Sequence, residues 1–233
     1  MENNGNYNMA EVRKMRYETG DTKFYGFTSD VGGAGTSSAA VVFSRIASAL
    51  WGKRILVVSF DGISRKMAPV RNRGSYAKGL FVTLRSDLTG KEIPEEYLCR
   101  DEFGVSYVTD AGFFNPLSEL SAEDLYFCMN RIALSGQFDD VVLDYPFQSL
   151  RSVEISSLCE KIVVCCGRNC TGKTDRQTFR ENFLKYAEEM PEKPLLHFFS
   201  PDEDRESFAE GIVDIHGQFG AEVRELAAEL LEM

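Results

Sequence analysis

The sequence predicts an α/β protein with a doubly wound, mostly parallel sheet flanked by helices. Three observations carry this. Short β-rich apolar runs alternate with longer stretches of helical period. A glycine-rich turn joins the first such run to the first helix. Two of the later runs close on an aspartate. Alternation of this kind implies right-handed crossovers and strands buried on both faces.

Strands are expected at Phe24–Thr28, Arg54–Phe60, Val105–Thr109, Asp140–Asp144, Lys161–Cys166 and Leu195–Phe199, each an apolar run bounded by turn residues. Helical spacing marks Ser37–Trp51, Ala122–Ser135, Asp175–Glu189 and Gln218–Glu232. The first of these is apolar nearly all round, so it belongs in the interior. Residues 1–22 are polar and read as a flexible lead-in, leaving 23–233 as a single domain. Residues 63–101 carry few patterns and read as helix and mobile loop with a solvated basic face.

Composition narrows the function classes. The 233 residues carry 26 Lys+Arg against 36 Asp+Glu, a net charge of -10. That balance disfavours DNA as a partner, because a phosphate backbone demands a basic surface. No apolar run reaches the ~20 residues of a membrane span, and the polar start does not read as a secretory signal. The six Cys contain no C-x-x-C pair and read as reduced, buried residues of a cytoplasmic protein. The last helix pairs an apolar stripe (Val223, Leu226, Ala227, Leu230, Leu231) with a mainly Glu face. An anionic membrane would repel that face, so the helix should dock on the core.

The turn Asp30-Val31-Gly32-Gly33-Ala34-Gly35-Thr36-Ser37-Ser38 brings backbone N–H groups and a helix N-terminus together, an arrangement that receives anions. Ser37 and Ser38 can cap the helix or offer hydroxyls to a magnesium ion. Read alone, the segment fits an unliganded tight turn equally well. Asp61 after the second strand and Asp144 before Pro146 shift that balance. In an open parallel sheet, two carboxylates at strand carboxyl ends beside a glycine loop mark the ligand crevice.

At these residues the chain resembles the MinD/ParA family of P-loop ATPases, whose Lys-Gly-Gly-x-Gly-Lys-Thr-Thr loop binds ATP. Gly32, Gly33 and Gly35 match the loop glycines, and Ser37 and Ser38 match the Thr pair. Asp61 matches the second Asp of the family's Asp-x-Asp strand end, and Asp144 with Pro146 matches its Asp-x-Pro segment. The resemblance implies ATP on Gly32, Gly33, Ala34, Gly35, Thr36, Ser37 and Ser38. It places Mg2+ near Ser37, Asp61 and Asp144, with Asp61 and Asp144 as the catalytic carboxylates. It also implies homodimerisation and protein partners.

The departures from the pattern are chemical. Val31 stands where the family carries its signature Lys, Thr36 where it carries the phosphate-binding Lys, and Ser59 in place of the first Asp. Each charged hydrogen bond lost removes about 1.5–3 kcal/mol. Two such losses weaken ATP binding by roughly two to four powers of ten. A degenerate ATPase with weak or no hydrolysis follows. The loop is similar to those of the TadZ/CpaE-like branch, bacterial proteins that place pilus or secretion machinery. This resemblance implies a positioning or scaffold role, in the cytoplasm and at a cell site set by partners.

A literal G-x-x-x-x-G-K-[ST] pattern occurs elsewhere, at Gly167–Thr174. It lies late in the chain, after the strand bearing Asp144, and no later strand ends in Asp. It defines the alternative of an NTPase or kinase using Lys173. A nucleotide-free interaction module that keeps only the fold is the other alternative.

Overall fold

The computed structural model describes residues 21–29, 34–60, 80, 82, 84, 92–108, 116–149, 151–166, 173–188, 190, 194–200 and 215–232. The strands are β1 Lys23–Ser29, β2 Ile55–Ser59, β3 Cys99–Arg100, β4 Ser106–Val108, β5 Asp140–Pro146, β6 Lys161–Cys165 and β7 Leu195–Phe199. The helices are α1 Thr36–Trp51, α2 Ala122–Leu134, α3 Ser152–Leu158, α4 Lys173–Glu188 and α5 Gln218–Leu230, with short 3-10 turns at Glu95–Tyr97 and Pro116–Glu119.

The strands form one seven-stranded sheet in the order β3-β4-β2-β5-β1-β6-β7. Every neighbouring pair is parallel except β3 with β4. Alternate residues of each strand serve opposite faces, which is why β2 and β6 are buried at every position. On one face Tyr25, Phe27, Val57, Val142 and Val163 pack under α1 and α5. On the other, Phe24, Leu56, Val141, Leu143 and Val164 pack with residues of α2, α3 and α4.

Helix α1 is buried from Ala39 to Ala47, as its all-round apolar sequence requires. It ends at Gly52, whose φ of 65° suits a left-handed C-terminal cap. Helix α5 lays Phe219, Val223, Leu226, Ala227 and Leu230 into the α1 side of the core, so its apolar stripe is docked. Arg45 of α1 makes a 2.9 Å ion pair with Asp101, which also accepts hydrogen bonds from Tyr107 Oη and from the Phe103 and Val105 N–H groups. This fastens α1 to the β3–β4 turn.

Several expectations shift. Strand β5 runs past Asp144 to Pro146, because Ser29 and Pro146 still pair across β1 and β5. Thr22, the end of the expected lead-in, is buried, and its hydroxyl donates to the Phe138 carbonyl at 2.9 Å. Helix α4 begins at Lys173, two residues before the expected start. Helix α3 had no expectation attached, and strand β3 falls at the end of the stretch read as helix and mobile loop, where its pairing with β4 makes it a strand. Five cysteines (99, 128, 159, 165 and 166) are free and buried, while Cys170 lies outside the described residues. No described helix is long and apolar enough to cross a membrane.

Candidate nucleotide site

Strands β1 and β5 are neighbours, yet the helices that follow them lie on opposite faces. Helix α1 follows β1 on one face and α3 follows β5 on the other. This reversal opens a crevice at the carboxyl ends of the two strands. Ala34 and Gly35, leading into α1, sit there, and so does Asp144 on β5.

Gly35 stands at the N-cap of α1 with φ 83°. A Cβ added to it would meet nothing within 4 Å, so the requirement for glycine is conformational rather than steric. The Gly35 carbonyl accepts the Ala39 N–H at 2.8 Å, starting the helix. No side chain caps it. The N–H groups of Thr36, Ser37 and Ser38 therefore occupy the first turn, where an α-helix offers them no internal partner.

Ser37 Oγ donates to Asp144 Oδ2 at 2.9 Å, joining residues 107 apart in sequence. Ser59, opposite Asp144 in the β2–β5 register, donates its hydroxyl to the same oxygen at 3.3 Å. Asp144 is only 2 % exposed, so these hydroxyls replace water around a buried carboxylate. An aspartate at 59 would set two carboxylates side by side, and serine converts that repulsion into a hydrogen bond.

Thr36 turns the other way. Its Oγ1 donates to Ser29 Oγ at 2.8 Å and lies beside the Cys165 thiol at the end of β6. Burial pushes the Cys165 thiol well up, against the Thr36 hydroxyl and reinforced by nearby Cys166 and Asp144. That thiol stays protonated and inert at neutral pH.

Among the sequence-predicted residues, Ser37 and Asp144 are brought into contact, and Ala34, Gly35, Thr36 and Ser38 form the adjoining turn. Gly32, Gly33 and Asp61 lie outside the described residues, as does the second loop up to Gly172. Ser59 was placed at the site only as the replacement for the first Asp of the Asp-x-Asp pattern, and Ser29 and the thiol of Cys165 escaped the sequence reading as its neighbours. Their only signal was strand register. The oxygen donors of Ser37 and Asp144 fit magnesium, which takes one or two protein carboxylates or hydroxyls and keeps waters and phosphate oxygens for the rest.

Further along the same carboxyl edge, beyond β6, a cavity of about 550 Å3 opens between α4 and β7. It is lined by Cys166, Gln177, Arg180, Glu181, Phe198 and Ser200 among others, and the Arg180 guanidinium lies over the Phe198 ring at 4.4 Å.

No protein-family model matches this chain, and no curated protein matches it. Solved structures do. A ParA family ATPase from Chlorobium tepidum TLS superposes with a TM-score of 0.69 at 12 % identity, covering 88 % of this chain and 98 % of that one. The septum site-determining protein MinD from Pyrococcus horikoshii OT3, complexed with Mg-ADP, gives 0.64 at 16 % identity over 90 % and 96 %. Cobyrinic acid a,c-diamide synthase from Mycobacterium smegmatis, with a bound ATP analog and magnesium, gives 0.63 at 15 % over 91 % and 95 %. The chain thus has the P-loop fold of the ParA and MinD ATPases. At these identities the likeness establishes the fold, and function must be argued from the site.

Proposed function

We propose that this protein is a degenerate ParA/MinD-like nucleotide-binding domain that works as a positioning or scaffold protein, with weak or no ATP hydrolysis. The observation that carries the reading is the Ser37–Asp144 hydrogen bond, which couples the first turn of α1 to the central strand at the topological switch point. The turn from Ala34 to Ser38 would receive the phosphates through backbone N–H groups and the positive end of α1. Gly32, Gly33 and Asp61 belong to the same proposed site by their sequence positions.

Ser37 and Asp144, with Asp61, would hold magnesium. When bound, the metal supplies charge neutralisation to the phosphates. This chain's own residues bind and orient rather than catalyse. Ser37 and Ser59 direct the Asp144 carboxylate through their hydroxyl hydrogen bonds, and the Thr36 hydroxyl ties the loop to Ser29. Val31 and Thr36 provide no cation where charge grows during phosphoryl transfer, so the largest electrostatic contribution to that chemistry is missing. The cavity between α4 and β7 continues the same edge and offers an aromatic and a guanidinium surface to the rest of a nucleotide.

The net charge of -10 favours proteins over DNA as partners, and the TadZ/CpaE-like loop points to pilus or secretion machinery. Dimerisation and a cytoplasmic location belong to the same reading. Two measurements test it. Thr36→Lys restores a cation at the phosphates and should tighten Mg-ATP binding at least tenfold in isothermal titration. Unchanged affinity would remove the loop alignment on which the reading rests. Turnover abolished by Lys173→Ala would instead move the chemistry to residues 167–174.

A further inference from the structure

Asp140 opens β5 at the amino edge of the sheet, on the α1 side and away from the candidate nucleotide site. It is 1 % exposed, and neither carboxylate oxygen has a hydrogen-bond donor among the described residues. Among the described residues the one cation within ion-pair distance is Lys53, whose Nζ lies 4.0 Å from Oδ2 and whose side chain is about one-third exposed. A buried carboxylate without donors is expensive to charge, and one partly exposed lysine at the limit of ion-pair distance repays little of that cost.

The neighbours do not repair it. From β1, Lys23 favours the charged form, while Tyr25 is a buried phenol whose own ionisation Asp140 opposes. Asp139 precedes it and spends its charge on Arg54, at 2.6 Å. Glu160, leading into β6, adds like charge. Lys161, the nearby buried cation of β6, is committed to the Leu230 carbonyl at 2.7 Å and to Glu232 at 2.9 Å.

We propose that Asp140 is a proton-binding switch built into the sheet: its carboxyl takes up a proton in the native protein in mildly acidic solution, and its ionisation above that range costs the fold stability. Burial, the largest influence, pushes this carboxyl from 3.8 up to about 6. The native state then holds the proton about 100-fold more tightly than the unfolded chain. The sign follows. A raised acid contributes its full cost above pH 6, sheds it as pH falls toward 4, and contributes nothing below the unfolded value. His197 works against this in part of the same window. Burial lowers its pKa, so acidification favours the unfolded chain there. The difference between wild type and an Asp140 variant cancels that contribution.

The test is thermal unfolding of the full chain and of Asp140→Asn between pH 8 and pH 5. The variant should melt about 6 °C above wild type at pH 8 and about half that above it at pH 5. A variant that melts at or below wild type at pH 8, or a gap that does not change with pH, overturns the switch. Because asparagine could itself disturb the strand, carboxyl-carbon NMR of wild type provides the second reading. The Asp140 resonance should titrate with a midpoint near 6, and a midpoint below 4.5 contradicts the proposal.

Discussion

Asp140 and Asp144 lie four residues apart on one strand, point to the same face, and are 1 % and 2 % exposed. Their hydrogen-bond donors differ. Asp144 accepts two hydroxyl hydrogen bonds from α1 and β2, whereas Asp140 accepts none. The lesson is that depth of burial does not decide what a carboxylate does; the donors that replace water do. At the carboxyl edge two hydroxyls fix the orientation of the carboxyl group that the proposed magnesium site would use. At the amino edge their absence leaves a group whose ionisation is costly.

The comparison can be broken in order of expected effect. Asp101 is a third buried carboxylate, with four donors including a guanidinium. Arg45→Met strands that charge and should destabilise by about 3–5 kcal/mol, a melting shift on the order of 10 °C. A loss below 1 kcal/mol would mean that backbone donors alone satisfy it. Asp140→Asn should act in the opposite direction and stabilise at neutral pH, as set out above. Ser37→Ala removes one donor from Asp144 and should cost about 1 kcal/mol in chemical denaturation. Arg54→Ala sits at the small end. The Arg54–Asp139 pair is partly exposed, so calorimetry should register under 1 kcal/mol. Arg54 also holds Asp139 below the usual carboxylate range. That contribution is present above the ordinary aspartate value and fades only as pH falls through the lowered one.

How much of this was legible in the sequence follows from the range of the forces involved. Strands β1, β2, β4, β5, β6 and β7 and helices α1, α2, α4 and α5 announced themselves through local period, and their ends moved by a few residues at most. Strand β3 has two residues and exists because β4 pairs with it. Helix α3 spans seven residues, shorter than any period can reveal. It is held by burial of Ile155 and by the hydrogen bond between Tyr145 Oη and Ser156 Oγ. Ser37 and Asp144 were readable because a glycine turn and a strand-end Asp-x-Pro have sequence signatures. Ser59 was legible as a motif position, but its donation to Asp144, the Thr36–Ser29 link and the isolation of Asp140 depend on cross-strand register, which no local window contains.

The central claim is that the turn from Ala34 to Ser38 and Asp144 together hold a magnesium nucleotide. Isothermal titration of Mg-ATP into wild type and into the Ser37→Ala, Asp144→Asn double variant tests it most directly, with matched melting curves showing that both are folded. The account predicts a weak but saturable heat for wild type that vanishes in the variant and in wild type without magnesium. An unchanged isotherm in the folded variant, or no heat from wild type at millimolar nucleotide, would contradict it.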